Sequence, residues 1–305
     1  MTQNTSKIDF SDRVAVVTGA GGGLGRTYAV ELARRGAAVV VNDLGTQPDG
    51  SGEDVDLAQR VVDEIVGAGG RATASRASVA TAEGGEAIIE TAIETFGRVD
   101  VVINNAGFLR DRSFVKLASS EWDTVVEVHL KGAFYVTQPA FRLMKEQGYG
   151  RLLFTSSGAG LFGNFGQSNY AAAKMGLVGL SNTLAIEGAR YGITSNVLAP
   201  AAGTRLTGAI FGELANTLAS ELVTPLAVYL VSEECDRTHE IYSVGGGRYA
   251  RVFVAEGPGW TNDSETQPSV EDIRDRFDEI SETEGFFIPA SVQEELDLVV
   301  RAGAN

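Results

Sequence analysis

The chain has 305 residues, 44% of them hydrophobic, enough for one large core or a core with an appendage. A net charge of −15 argues against nucleic acid or an anionic membrane surface as a partner. No apolar run approaches the roughly 20 residues that a membrane helix needs, so no membrane insertion is expected.

Cys235 is the only cysteine, which excludes an internal disulfide and any cysteine-based metal cage. No metal site is expected. The opening MTQNTSKIDFSDR lacks an apolar secretion segment, and a cytoplasmic location is the expectation. The acidity is uneven: residues 255–305 hold 13 Asp and Glu against 3 Arg. The charge therefore belongs mainly to the tail.

In chain order, RVAVVT (Arg13 to Thr18) is a β-branched apolar run of the kind that forms a buried strand. TGAGGGLGR follows, then a helical spacing of Tyr28 and Leu32 over Thr27 to Arg35, which Gly36 ends. AAVVVND is a second buried strand closing at Asp43. Strand, glycine-rich turn, helix, strand and acid make up the βαβ unit that binds dinucleotides. The glycines Gly19, Gly23 and Gly25 let backbone approach a pyrophosphate, and the helix start offers free N–H groups. Asp43, 24 residues beyond Gly19, stands where a carboxylate binds the adenine ribose, which predicts NAD rather than NADP. Arg26 is the one nearby cation that could accommodate a 2′-phosphate.

Residues 45–53 read as a polar loop, Val55 to Val66 as helix, and Arg71 to Ser75 as a weaker strand leading to Ser78 and Val79. Glu83 to Phe96 is helical, and VDVVINNAG (Val99 to Gly107) is a fourth strand ending in a turn. Asn104 is expected to be mainly structural and Asn105 to lie nearer the cofactor. Ser120 to Lys145 predicts one long helix with Trp122, Val125, Val126, Leu130 and Phe134 on its inner side. LLFTSSGAGLFGNFGQSNYAAAK then gives a fifth strand, a glycine-rich loop, and a helix from about Ser168.

On that helix Tyr170 and Lys174 lie one turn apart on one face. An ammonium there would favour the ionised phenol, lowering a pKa that is ordinarily about 10. Such a phenol exchanges protons with a substrate hydroxyl. Ser157, thirteen residues earlier, is placed to hold the same oxygen.

Ile193 to Ala199 is strand six, the segment after Pro200 reads as a loop, and Thr224 to Ser232 is a helix with Pro225 near its start. Ile241 to Val244 is the last strand, for about seven in all. Strands alternating with helices imply an α/β fold, a Rossmann-type doubly wound parallel sheet with ligands at the strands' C-terminal ends. The expected organisation is a catalytic domain over residues 1–254 and an acidic helical extension over 255–305. Helices are expected over Val270 to Ile280 and Ser291 to Val300, with Ile273, Phe277, Ile280, Leu296 and Val299 suited to a docked face.

Thr18-Gly19-x-x-x-Gly23-x-Gly25, Asn104-Asn105-Ala106-Gly107, Ser157 and Tyr170-x-x-x-Lys174 occur in this order. The chain thereby resembles the short-chain dehydrogenase/reductase family over roughly residues 10–248. TGAGGGLGR, VVVNDLG, NNAGFLRDRSF and GNFGQSNYAAAK are similar to its (3R)-hydroxyacyl-CoA dehydrogenases, which also carry a C-terminal extension.

The resemblance implies Tyr170 as acid/base, Ser157 as the group orienting the substrate oxygen, and Lys174 on the nicotinamide ribose. It implies that Gly19, Gly23, Leu24, Gly25, Asp43, Ser78, Val79, Asn105, Ala106 and Ala202 to Arg205 (Gly203 and Thr204 among them) line the NAD site. It also implies a homodimer or homotetramer. Two positions depart from the family pattern: His129 replaces the usual Asn, and Pro200-Ala201 the usual Pro-Gly. His129 is expected to be a satisfied interior side chain.

The small-molecule substrate expected is an acyl-CoA thioester, a 3-hydroxyacyl-CoA of lipid or steroid side-chain breakdown. The alternatives are a free hydroxysteroid and a catalytically silent nucleotide-binding module. A CoA ester would need local cations, for which Arg110, Arg112 and Arg205 are the candidates.

Overall fold

The computed structural model describes residues 7–46, 52, 54–203, 217–262 and 266–302. Contacts divide the chain into two compact units, Met1–Arg251 and Val252–Asn305.

The first unit is built on one eight-stranded sheet in the order β3-β2-β1-β4-β5-β6-β7-β8. Strands β1 (Val14–Thr18), β2 (Ala38–Asn42), β3 (Arg71–Ser75) and β4 (Val101–Asn104) pair in parallel. Parallel pairing continues through β5 (Gly150–Thr155), β6 (Ile193–Pro200) and β7 (Ile241–Gly245). Every residue of β1, β2, β4 and β5 is buried, as continuous Val/Ile/Leu runs require when helices cover both faces. The expected count of about seven strands is one short. Beyond the Gly246-Gly247 turn, Arg248–Val252 forms β8 on the edge beside β7.

Helices α1 (Gly23–Arg34) and α2 (Leu57–Gly67) cover one face. Their apolar stripes, Tyr28, Ala29 and Leu32 with Val61, Val62 and Ile65, share a core with Val39 and Val41. The other face takes α3 (Ala82–Phe96), capped by the Thr81 hydroxyl and ended by Gly97 at φ 83°. The loop predicted after Pro200 is described only to Gly203; Thr204 and Arg205 lie outside the described residues.

The helix expected over Ser120 to Lys145 is not uniform. It comprises α4 (Ser119–Val126), a π-helical turn over Glu127–Lys131, and α5 (Gly132–Gln147). The wide turn re-aims the helix: α4 packs on the later helix that begins at Ser168, while α5 packs on α3, β4 and β5. The buried stripe of α5 therefore runs through Ala133, Val136, Ala140 and Met144, and Phe134 is 42% exposed rather than inward.

The strand order reverses between β1 and β4, which opens a crevice at their C-terminal ends. At the opposite ends the fully buried Asp100 carboxylate accepts from Val14 N–H at 2.9 Å and from Arg98 at 2.7 Å twice. It thus clamps β1 beside β4.

Within the second unit, Phe253 stacks on Phe286 at 5.3 Å and Glu256 bridges Phe287. Its helices are α9 (Val270–Asp275, capped by Ser269), α10 (Phe277–Ile280) and α11 (Val292–Ala302). In chain order these follow α6 (Gly158–Phe162), α7 (Ser168–Gly188) and α8 (Thr224–Leu230) of the first unit.

Candidate active site

The glycine turn sits in the crevice. Gly19 adopts φ 63°, and a Cβ there would lie 2.7 Å from Ala106 Cα, so the turns after β1 and β4 touch. At Gly25 a Cβ would come within 2.3 Å of Gly19's carbonyl oxygen, which fixes the tight exit into α1. Asp43, just past β2, accepts the Gly21 N–H on Oδ2 and the Gly45 N–H on Oδ1, both at 2.8 Å. Gly22 caps α1 with no side-chain bond to its first N–H groups. That free helix start, approached through glycine and flanked by a carboxylate, fits a dinucleotide's pyrophosphate and ribose.

Asn105 has a role beyond the expected one. Its Nδ2 donates to the carbonyls of Thr18 and Gly19 at 3.1 Å each, bracing the glycine turn from β4. The Thr18 hydroxyl in turn accepts the N–H groups of Asn105 (3.0 Å) and Ala106 (3.1 Å). Asn104 donates to the Thr137 hydroxyl at 2.8 Å, consistent with a structural part. Past β3, the Ser78 hydroxyl accepts from Ala80 N–H. Val79 helps line a cavity of about 10 Å³ with Thr18, Asn104, Ala106, His129 and Lys174. That is room for one water. Ala202 is buried, and Gly203 N–H donates to Leu218 O at 2.6 Å.

Ser157 lies two residues past β5 as the cap of α6, its hydroxyl accepting Ala159 N–H at 3.2 Å. The same hydroxyl is close enough to the Tyr170 phenol to favour its ionised form. Helix α7 sets Tyr170 in its first turn, where its N–H donates to Asn169 Oδ1, while Asn169 Nδ2 holds Arg110 O. Lys174, one turn on, is buried; its Nζ donates to Thr155 O at 2.6 Å and lies 5.5 Å from the Tyr170 ring centre. Ser157, Tyr170 and Lys174 are therefore together.

The electrostatics differ from the expected tuning. Burial pushes the Tyr170 phenol up to about 12, although the residue as a whole is only partly buried; the nearby Ser157 hydroxyl lowers it and Asp111 raises it. Burial also pushes Lys174 down to about 7. With its ammonium aimed at the Thr155 carbonyl and its charge penalised, Lys174 does not draw the phenol down here. The phenol is held neutral.

His129, on the π-helical turn, is 3% exposed and stands edge-on to Tyr170, ring centres 5.2 Å apart. Its Nε2 bonds the Phe108 carbonyl at 2.8 Å, whereas Nδ1 is buried without a protein partner. The ring is satisfied on one side only. Burial first, then the Lys174 charge, holds its pKa well below the usual range, so it is neutral.

Gly107 makes room for it: a Cβ there would lie 2.1 Å from His129 Cε1. Gly107→Ala is accordingly expected to displace the ring and destabilise the fold by about 1–3 kcal/mol in urea unfolding. A midpoint equal to that of the unaltered protein would show that the ring does not fill this space.

Of the proposed cationic rim, Arg112 pairs with Glu121 at 3.4 Å and Arg110 lies over the Phe108 ring at 5.5 Å. Thr155 and Asn169 have no spacing signal in sequence, and the motif pattern marks Thr18 and His129 but not their partners. Each acts through a partner that is remote along the chain or through a backbone atom.

A family model for short chain dehydrogenases matches residues 13–211. A short-chain type dehydrogenase/reductase of Mycobacterium tuberculosis is 50% identical over 275 residues, 90% of this chain and 96% of its own. A hydroxyacyl-CoA dehydrogenase of the same organism is 36% identical, over 85% of this chain and 87% of its own. Peroxisomal multifunctional enzyme type 2 is matched in the mouse sequence at 46% identity, over 95% of this chain but only 39% of that one. Its solved structure from Drosophila melanogaster aligns with a TM-score of 0.82 at 38% identity, over 97% of this chain and 50% of that chain. With Ser157, Tyr170 and Lys174 assembled beside a dinucleotide cradle, these matches show that the chain belongs to the short-chain dehydrogenase family, oxidoreductases acting on CH–OH groups with a nicotinamide dinucleotide.

Proposed function

We propose that the protein is an NAD-dependent dehydrogenase of 3-hydroxyacyl-CoA esters. The observation that carries the chemistry is the assembly of Ser157, the Tyr170 phenol and Lys174 one turn on, at the strand ends beside the glycine turn. Tyr170 exchanges the proton of the substrate oxygen, Ser157 orients that oxygen, and Lys174 would hold the nicotinamide ribose one turn on. The bound dinucleotide supplies the hydride chemistry; Gly19 to Gly25, Asp43 and Asn105 hold it in line. Asp43 supports NAD, since a 2′-phosphate would meet a like charge there.

Two loops flank Tyr170, joined by Arg112 N–H to Gly166 O and by Gln167 Nε2 to Asp111 Oδ2 at 2.8 Å. They carry the exposed side chains Phe114, Val115, Phe162 and Phe165. An apolar rim of this kind suits a fatty or sterol-derived chain, and the hydroxyacyl-CoA dehydrogenase among the relatives supports the thioester. No helix among the described residues is long and apolar enough to cross a membrane. Exposed Phe134 on α5 and Met175 on α7 offer apolar surface to a second copy. A homodimer or homotetramer in the cytoplasm, where a lone thiol stays reduced, completes the reading.

The test is kcat/KM for straight-chain and steroid-side-chain 3-hydroxyacyl-CoA esters and for free hydroxysteroids, each with NAD and NADP. Turnover of the CoA esters with NAD at the highest kcat/KM is the expected result. A free steroid turning over better than the esters overturns the thioester reading, and NADP equal to NAD overturns the cofactor preference.

A further inference from the structure

The side of the glycine turn that faces Asp43 is covered by α2. Leu57 opens that helix against Gly21, where a Cβ would lie 2.5 Å from Leu57 Cγ and 2.9 Å from Asp43 Oδ2. Glu64 stands seven residues further, on the same face of α2 as Leu57. It grips Arg26, the residue directly after Gly25 in the first turn of α1. Arg26 Nε donates to Glu64 Oε2 at 2.8 Å and its Nη2 to Glu64 Oε1 at 2.5 Å, a two-point fork between guanidinium and carboxylate. Arg60, one turn before Glu64 and placed to pair with it, is instead held by both oxygens of Asp54. Glu64 is left to Arg26. Arg26 in the first turn of α1 and Arg60 on α2 are thus each committed to a carboxylate.

We propose that Glu64 is a specificity-determining residue: by holding Arg26 against α2, it denies a basic partner to a phosphate on the adenine ribose. The inference rests on the dinucleotide reading above and adds a second device to it. Asp43 repels a 2′-phosphate, and Glu64 removes the one arginine of the glycine turn that would attract it. Both members of the pair are partly exposed, at 42% and 38% of the side chain, so the lock is modest. An exposed ion pair shifts an equilibrium by up to about fivefold, and loss of the nearby carboxylate adds to this.

Equilibrium titration of purified protein with NADPH and NADH, followed by nicotinamide fluorescence, tests the proposal without turnover. Glu64→Gln is expected to tighten NADPH about three- to tenfold and leave NADH within about twofold. The NADPH gain should shrink as ionic strength rises. In Arg26→Ala/Glu64→Gln most of the gain should be lost, because the freed guanidinium is its main source. NADPH affinity unchanged in Glu64→Gln while NADH still binds overturns the proposal, as does a gain that survives loss of Arg26 undiminished. If the unaltered protein binds neither dinucleotide, the cofactor reading itself fails.

Discussion

Tyr170→Phe is expected to lower kcat by ~10²–10⁴ while dinucleotide affinity is unchanged. The substitution removes the hydroxyl that Ser157 acts on and keeps the ring that packs edge-on against His129. Fold and cofactor cradle should therefore persist, and the loss should fall on the proton step. Since the free phenol is pushed up to about 12, it enters the reaction as a neutral donor. Reduction of a ketone then begins with the proton already in place, and oxidation requires its loss. Kinetics in both directions with fluorescence binding would decide it. A variant retaining a tenth of the normal turnover would remove Tyr170 from the acid/base role.

Lys174→Met is expected to weaken turnover and dinucleotide binding, yet to stabilise the free protein. The sign follows from its depressed pKa, about 7 when folded against about 10.4 in an unfolded chain. Between those values the unfolded chain binds more protons, so stability of the unaltered protein rises with pH across the window. The penalty for burying the ammonium is complete below pH 7 and fades toward pH 10.4. Methionine never carries it, though Thr155 O loses its 2.6 Å donor at a cost of ~1–3 kcal/mol at every pH. The stability difference between variant and parent should thus be ~3 kcal/mol larger in the variant's favour at pH 6 than at pH 9. Urea unfolding without cofactor at the two pH values measures this. An equal difference at both would mean that Lys174 is not charge-strained.

The legible part of the site was whatever sequence spacing alone determines. Gly19 to Gly25, Asp43, Ser157 and Tyr170 with Lys174 fall where turn geometry and helix periodicity put them. Charge balance was not legible, because it depends on surrounding atoms. The same four-residue spacing that brings Lys174 under Tyr170 also buries it and points Nζ at Thr155, reversing the expected tuning. Asn105 was read as a cofactor neighbour because a turn at a strand's end is open on one side. Its bonds to Thr18 and Gly19 belong to a strand 87 residues away in sequence. The eighth strand was missed although Gly-Gly before RYARV is a turn followed by a short β-prone run. His129 was read as satisfied, and half of it is.

The π-helical turn at Glu127–Lys131 constrains chain length rather than composition. A wide turn amounts to one surplus residue in an α-helix. Deleting a single residue between Val125 and Ala133 would remove that surplus and let the helix close into uniform hydrogen bonding, whereas inserting one would rotate everything after it by about 100°. Ala133, Val136, Ala140 and Met144 would leave the core together, and His129 would lose either Phe108 or Tyr170. This stretch should accept many substitutions on its outer side and almost no insertion. Among relatives that share the fold, added residues belong in the flanking loops and not here.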